Sequence, residues 1–183
     1  MRRIIGAALG SAVLIGSMLF GGTAAFAQSG GAIKVFSPVN TSNTGNKPTP
    51  VVFTGAIGDY GTTVSVNSAG KSDSNGNFTK ITLKKGGFTV DSSSLNAAFN
   101  SSGAPSDFNS TNCSASISVG PATVTIVSDS GTGAYKGISG SVDLSANLAL
   151  ILPKKNGSCN TSNSANPVAA YGALTGSGTV SFS

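Results

Sequence analysis

The side chains that could do chemistry in this chain are few, and their types exclude most enzyme mechanisms. The sequence contains no histidine, and all six of its acidic residues are aspartates. A Ser-His-Asp triad cannot form without histidine, and zinc lacks its usual set of ligands. A glycosidase needs two converging carboxylates, and nothing in the spacing brings Asp91 and Asp143 together. We therefore expect no catalytic residue, no metal site and no cofactor.

Three tyrosines and two aspartates are the polar side chains that could face a binding cavity. A tyrosine can bury its ring while its hydroxyl keeps a hydrogen-bond partner. For each of the five, the simpler interpretation is a packed aromatic or a residue of a solvated turn. The candidates for ligand binding are Tyr60, Tyr135, Tyr171, Asp59 and Asp143.

The two cysteines, Cys113 and Cys159, are predicted to form one disulfide. An even number of cysteines in an exported chain is usually paired. The alternative is a pair of thiols that serve redox or metal chemistry, but no histidine or C-x-x-C motif accompanies them. The bond would close a loop of about 45 residues and would contribute about 4 kcal/mol in the chain-entropy treatment.

The N-terminal segment, residues 1–27, has the three parts of a secretory signal peptide. Arg2 and Arg3 form the charged region, an apolar stretch follows from Ile4 to Phe20, and Ala25-Phe26-Ala27 is an A-x-A cleavage site. Cleavage between Ala27 and Gln28 would leave one domain with its own core. An uncleaved anchor is the alternative, because the apolar stretch is long enough to span a bilayer. We expect a secreted protein with no membrane contact after the signal is removed.

Charge and composition argue against a nucleic-acid partner. Both arginines lie in the signal segment, and the nine lysines and six aspartates that remain are dispersed along the chain. Nucleic-acid binding usually requires clustered Lys and Arg. Ser, Thr, Asn and Gly dominate, and the β-branched and aromatic residues are spaced as in strands rather than diluted as in disordered chains.

From Val51 onward, apolar and polar residues alternate with a period of two, which indicates strands with one buried face. Residues 28–50 are polar and contain three prolines, so we predict a flexible segment with at most a short strand at Ile33–Phe36. The barrel domain is predicted over 51–183. Turns are predicted at Asp59-Tyr60-Gly61 and Gly120-Pro121. The eight predicted strands are 51–57, 62–66, 78–84, 88–90, 113–119, 123–127, 142–150 and 168–182.

One short helix is predicted over 91–99, where Leu95, Ala98 and Phe99 fall on one face. It is barely two turns long, so it needs packing to persist. Eight strands connected in sequence form a meander, and a long meander protects its edges best by closing. We predict an all-β fold, an eight-stranded antiparallel up-and-down β-barrel with one short helix. The interior of such a barrel can be filled by side chains or can hold one small ligand.

Three stretches carry a family resemblance. They are the glycine corner at 131–140 (GTGAYKGISG), the short helix with Leu95-Asn96-Ala97-Ala98, and the C-terminal GSGTVSF at 176–182. Together they resemble the allene oxide cyclase and dirigent barrel superfamily and its secreted bacterial branch, over 51–182. The resemblance implies a calycin-like, eight-stranded antiparallel barrel with a central apolar cavity. The cyclases use a glutamate within the cavity, and the dirigent proteins rely on pocket aspartates and an arginine. The mature chain has no glutamate and no arginine, so no catalytic residue carries over.

These observations leave three functions open. The first is a secreted, non-catalytic barrel that binds or orients a small apolar molecule. The second is an extracellular structural or surface-interaction protein, with a filled core and exposed Ser, Thr and Asn faces. The third is a cyclase-like or isomerase-like enzyme that shapes a reactive substrate, because catalysis by orientation needs few titratable groups. A tyrosine and an aspartate converging inside the cavity would favour the third. A homo-oligomer is suggested by the resemblance alone.

Overall fold

Eight long strands form the fold, and the sequence pattern of each explains which side it buries. The structure is a computed structural model that describes residues 29–39, 46–101, 107–162 and 165–183. In the first strand Ile33 and Val35 are buried while their neighbours are exposed, as the period of a half-buried strand requires. The strands are β1 (Gly31–Pro38), β2 (Thr49–Gly55), β3 (Asp59–Val66), β4 (Phe78–Leu83), β5 (Gly86–Asp91), β6 (Ser114–Ile126), β7 (Ile138–Ile151) and β8 (Ala169–Phe182).

The eight strands close into an antiparallel barrel. Each strand pairs with the next one along the chain, and β8 returns to pair with β1 from Gly31↔Val180 to Pro38↔Ala173. Closure leaves no long unpaired edge in the ring. The predicted eight-stranded up-and-down barrel is therefore confirmed.

The junction between β5 and β6 is the shortest ladder of the ring. Only Val90↔Ile126 and Asp91↔Thr125 pair directly. The start of β5 pairs instead with the two-residue strand Thr132–Gly133, which lies in the chain that follows β6. The glycine corner thus forms part of the barrel wall.

The predicted helix is confirmed as α1 (Ser93–Ser101), which follows β5. Leu95 is buried, and Ala98 and Phe99 pack against the core, so the three residues share one face as predicted. The Asp91 side chain accepts a hydrogen bond from the backbone N–H of Ser93 at 2.9 Å. Three further short strands lie outside the ring: Asp107–Asn109 beside β6, and the hairpin of Lys154–Lys155 with Ser158–Cys159.

Strands β6, β7 and β8 extend beyond the barrel as a three-stranded projection. They are 13, 14 and 14 residues long, and the residues at their far ends pair with one another, as in Ser114↔Ile151 and Ala169↔Ile151, while Asn109 of the short strand Asp107–Asn109 also pairs with Ser114. The predicted disulfide is confirmed at this end. It joins Cys113 to Cys159 with a Cα–Cα distance of 5.4 Å and ties the Lys154–Cys159 hairpin to the start of β6.

The barrel begins at Gly31, not at Val51 as the sequence predicted. Strand β1 lies in the segment 28–50, which was predicted as flexible, and it is hydrogen-bonded on both sides. Its own pattern contains only two buried residues, Ile33 and Val35. Pairing with β8, far away in sequence, supplies the rest of its stability. The predicted signal segment, 1–27, and Gln28 lie outside the described residues.

Two predicted turns are strand residues. The chain reverses at 56–58, so Asp59, Tyr60 and Gly61 already belong to β3. Gly120-Pro121 is a bulge inside the continuous strand β6, because these two residues lie opposite the single residue Ser145 of β7. A proline lacks the N–H for the ladder, but a bulge tolerates it. The predicted number of strands is correct only because two errors cancel. The prediction lacks β1, and it divides β6 into two strands.

The disulfide should stabilise the fold without being needed to close the ring. Replacing Cys113→Ser and Cys159→Ser together should lower the free energy of unfolding by about 4 kcal/mol, because the unfolded chain regains the freedom of the loop between them. Urea titrations of the oxidised wild type and the double variant measure the difference. The far-UV circular dichroism of the variant should remain that of a β-barrel. Equal urea midpoints would contradict this role.

Candidate functional site: an apolar cavity inside the barrel

The barrel encloses a cavity of about 370 Å³. Aliphatic side chains from around the ring make most of its wall, and they include Ile33, Val35, Val51, Ile81, Val124 and Leu144. These residues belong to the inward-facing set of their strands, so the wall is the apolar face of the period-two pattern. Sites for small molecules commonly have volumes of about 300 to 1,000 Å³, so the space is sufficient for a small ligand.

The cavity exists because two strands present small residues to the interior. On β3 the inward positions after Asp59 are Gly61, Thr63 and Ser65, and Thr63 and Ser65 line the cavity. On β8 the positions opposite Val142 and Leu144 are Gly178 and Gly176. A Cβ at Gly178 would lie 2.0 Å from the backbone oxygen of Ser141. These strands therefore do not fill the barrel.

Aromatic rings form the floor of the cavity. Phe53 and Phe88 line it and pack edge to face, with their ring centroids 5.8 Å apart. Tyr135 lies on the other side of Phe88, with a centroid distance of 5.7 Å, and is fully buried. Edge-to-face contacts are a favoured geometry for aromatic pairs. The three rings close this end of the barrel.

A buried hydrogen bond fixes Tyr135 beneath the floor. Its hydroxyl donates to Oδ2 of Asp59 at 2.7 Å. The same carboxylate accepts from the backbone N–H of Tyr60 at 2.8 Å and of Lys85 at 3.0 Å. Burial raises the pKa of the Asp59 carboxyl, but the three hydrogen bonds and the nearby charge of Lys85 favour the ionised form, so the pKa lies below its ordinary value of 3.8. Asp59 is thus a buried carboxylate with donors around it.

The glycine corner places Tyr135 there. Gly133 and Gly137 have φ values of 60° and 75°, which glycine adopts without steric cost. The backbone N–H of Ile138 donates to the carbonyl of Tyr135 at 3.1 Å, which closes the turn between them. A Cβ at Gly131 would lie 1.9 Å from the carbonyl oxygen of Tyr135. Position 131 must therefore be glycine, because the backbone of Tyr135 passes too close to it to leave room for a side chain.

The other end of the cavity is more polar and lies near the start of β2. Lining residues there include Ser37, Asn46, Lys47 and Thr49. The helix α1 covers part of this end with Leu95 and Phe99. The cavity is therefore a pocket with an aromatic floor, and its polar rim is the direction from which a ligand could enter.

The hydroxyls on the β4–β5 side of the wall are already paired. The Oγ1 atom of Thr79 and the Oγ atom of Ser92 are 3.1 Å apart, and the Ser92 hydroxyl also donates to the carbonyl of Asn77 at 3.0 Å. Because these hydroxyls already have hydrogen-bond partners, a ligand does not have to supply them. This part of the wall therefore suits an apolar surface.

The structure brings together two of the five side chains that the sequence singled out, Asp59 and Tyr135. They meet under the floor rather than in the cavity. Tyr60 and Tyr171 lie on the outside and are 57% and 71% exposed. Asp143 faces outward on β7, where it accepts a hydrogen bond from Thr123 at 2.6 Å. None of the five lines the cavity.

The residues that do form the pocket were recognised in the sequence only as strand and helix positions. Phe53 and Phe88 lie in predicted strands, and Leu95 and Phe99 on the predicted helix. The available signal was the set of small inward residues, Thr63 and Ser65 among them, at positions where a filled barrel needs bulk. Reading that signal requires the strand register, which the sequence alone does not fix.

Comparisons with protein-family models, with curated proteins and with solved structures find no match for this chain. Among the described residues, no helix is long and apolar enough to cross a membrane. Within the same ranges, no group of three or more His, Cys, Asp or Glu side chains could hold a metal ion. The class of protein that fold and site define is an antiparallel β-barrel with an apolar internal pocket.

The bond between Tyr135 and Asp59 should make stability depend on pH. Because the folded-state pKa of Asp59 is lowered, its stabilising effect is present at neutral pH and is lost as the pH falls through that folded-state value. Tyr135→Phe removes one donor to a buried carboxylate and should cost about 1.5 to 3 kcal/mol at pH 7. The difference from wild type should shrink below about pH 4, near the pKa of a free aspartate.

Urea unfolding at a series of pH values measures this difference. The matched control is Tyr60→Phe, since the Tyr60 hydroxyl makes no hydrogen bond within the described residues while its ring remains under Lys84. A Tyr135→Phe variant as stable as the Tyr60→Phe variant at pH 7 would contradict the assigned role.

Proposed function

We propose that this protein is a secreted, non-catalytic barrel that binds a small apolar molecule in its internal pocket. The observation that carries the proposal is the cavity itself, about 370 Å³ in volume and walled mainly by aliphatic and aromatic side chains. Burying apolar ligand surface in such a space is favourable, at roughly 25 cal/mol per Å². The closed floor and the polar rim support a pocket with one entrance.

The chemistry of the wall supports binding rather than acid–base catalysis. Among the described residues that line the pocket, Lys47 is the single titratable side chain, and it lies at the rim. A general acid or base must reach the reacting atoms at hydrogen-bond distance. The tyrosine–aspartate pair of Tyr135 with Asp59 is buried behind Phe88, where a ligand in the pocket does not touch it. The cyclase-like alternative would need such a pair in the wall.

Export and family membership complete the proposal. The N-terminal sequence pattern and the disulfide both support an extracellular location, since disulfides persist mainly in oxidising compartments. The closed eight-stranded ring and the helix before β6 support the resemblance to the allene oxide cyclase and dirigent superfamily. We propose that the chain shares that barrel architecture and, in its mature form, lacks the cyclases' cavity glutamate and the dirigent proteins' arginine.

The purified protein should carry its ligand. Native mass spectrometry of protein taken from its own culture medium should show excess mass that disappears on denaturation, and the released compound should be small and apolar. The denatured mass also tests cleavage between Ala27 and Gln28. A ligand that is released but polar would contradict an apolar pocket.

Filling the cavity should block binding of an added apolar compound. The neutral fluorophore N-phenyl-1-naphthylamine is a suitable reporter, because its emission rises when it leaves water. Val124→Phe places a ring in the cavity and should weaken its binding at least about ten-fold, a change of about 1.4 kcal/mol. Fluorescence titration of the ligand-free protein measures the dissociation constant.

The matched control is Val52→Phe, which makes the same change on the outside of β2, where Val52 is 46% exposed. Its fluorophore binding should equal that of wild type. If Val124→Phe binds as well as Val52→Phe, the fluorophore occupies another site and the pocket proposal fails.

A further inference from the structure

We propose a second binding site, a shallow groove on the outer wall of the barrel that takes a neutral sugar unit of an extracellular polysaccharide. The groove runs over β8 and is about 480 Å³ in volume. It lies on the face opposite to the internal pocket and does not depend on the pocket's function. Its lining includes Phe36, Thr175, Ser145, Pro121, Lys34 and Asp143.

Strand register builds the groove from two adjacent rows of side chains. In the first row Phe36 lies opposite Thr175, and Thr175 lies opposite Ser145. In the second row Lys34 lies opposite Ser177, and Ser177 opposite Asp143. Side chains directly opposite one another on one face of antiparallel strands have Cβ atoms about 4.5 to 5.5 Å apart. The rows therefore place hydroxyls, one carboxylate and one ammonium group on three neighbouring strands, across about 9 to 11 Å between the outer Cβ atoms.

The depth of the groove follows from residue size. On β8 the outward residues Thr175 and Ser177 are short, and Gly176 between them lines the floor. On one side stand the longer Phe36 and Lys34 of β1. On the other side the bulge in β6 brings Pro121 to the rim. Because the floor is a hydrogen-bonded sheet, these groups are held on a rigid support.

Phe36, the aromatic side chain of the groove, is left half-exposed by the residues that the structure describes. Phe36 is 46% exposed, although a phenylalanine gains by burial. Val52 lies opposite Phe36, and Tyr60 lies opposite Val52, so an exposed apolar stripe continues the first row. A pyranose ring has an apolar face of C–H groups that can pack against such a ring. The exposed face of the Phe36 ring can therefore pack against the C–H face of a sugar.

The polar side chains of the groove can form hydrogen bonds with the hydroxyl groups of the sugar. The Asp143 carboxylate accepts from Thr123 through Oδ1 only, so within the described residues Oδ2 has no hydrogen bond. A carboxylate accepts hydrogen bonds from sugar hydroxyls, and serine and threonine hydroxyls both donate and accept. Lys34 and Asp143 carry opposite charges, so the groove has no net charge from its lining residues. That balance favours a neutral sugar over an acidic one.

Titration of the ¹⁵N-labelled protein with neutral hexasaccharides tests the proposal by NMR. The compounds are cellohexaose, maltohexaose, mannohexaose and xylohexaose. At least one should produce saturable shifts of the amide signals at residues 34–36, 143–145 and 175–177. Phe36→Ala should weaken that binding at least about ten-fold. Tyr171→Ala, which removes an exposed aromatic outside the groove, is the matched control and should leave binding unchanged.

A second variant guards against a folding defect. Thr175→Val keeps the side-chain shape and a good strand propensity, and it removes one hydroxyl from the floor. Its binding should also fall, with amide signals outside the groove unchanged. The proposal is overturned if none of the four sugars shifts the groove signals at millimolar concentration, or if Phe36→Ala binds like Tyr171→Ala. Broadening of the groove signals that depends on protein concentration alone would show a second copy of the chain there, and would also overturn it.

Discussion

The closure of the ring between β5 and β6 is the constraint on which the rest of the structure depends. Two residue pairs are too few to hold two strands together, and the backbone groups of β5 below them need other partners. The chain after β6 supplies these partners. The Ser130 hydroxyl accepts from the N–H of Thr89 at 3.0 Å, and the Thr132 hydroxyl accepts from the N–H of Gly87 at 3.0 Å.

One segment thus performs two tasks. The residues that complete the wall beside β5 lead directly into the turn that buries Tyr135 against Asp59 and Phe88. The wall and the floor are therefore coupled. With the floor closed and small residues on β3 and β8, the ring encloses a pocket open toward the polar rim. The outward-facing residues of β8, Thr175 and Ser177, are also short and leave the shallow groove, so both proposed sites follow from the small side chains of this strand.

Much of the fold could be predicted from the sequence, because alternation and turn residues are local signals. The helix face of Leu95, Ala98 and Phe99 and the pairing of the cysteines are of this kind. Strand β1 could not be predicted as part of the ring, because its partner β8 lies more than a hundred residues away. The candidate site was harder still. Which tyrosine contacts which aspartate depends on strand register. The sequence alone therefore does not distinguish Tyr135 from Tyr171 as the partner of an aspartate.

The most direct test of the account is a crystal structure of the protein under xenon pressure, after any bound compound has been removed. Apolar cavities without water bind xenon. We expect xenon between Phe53, Phe88 and Val124, with the Tyr135–Asp59 hydrogen bond intact beneath them. A barrel whose interior is filled by its own side chains, with no xenon inside the ring, would contradict the claim that this fold is built around a pocket.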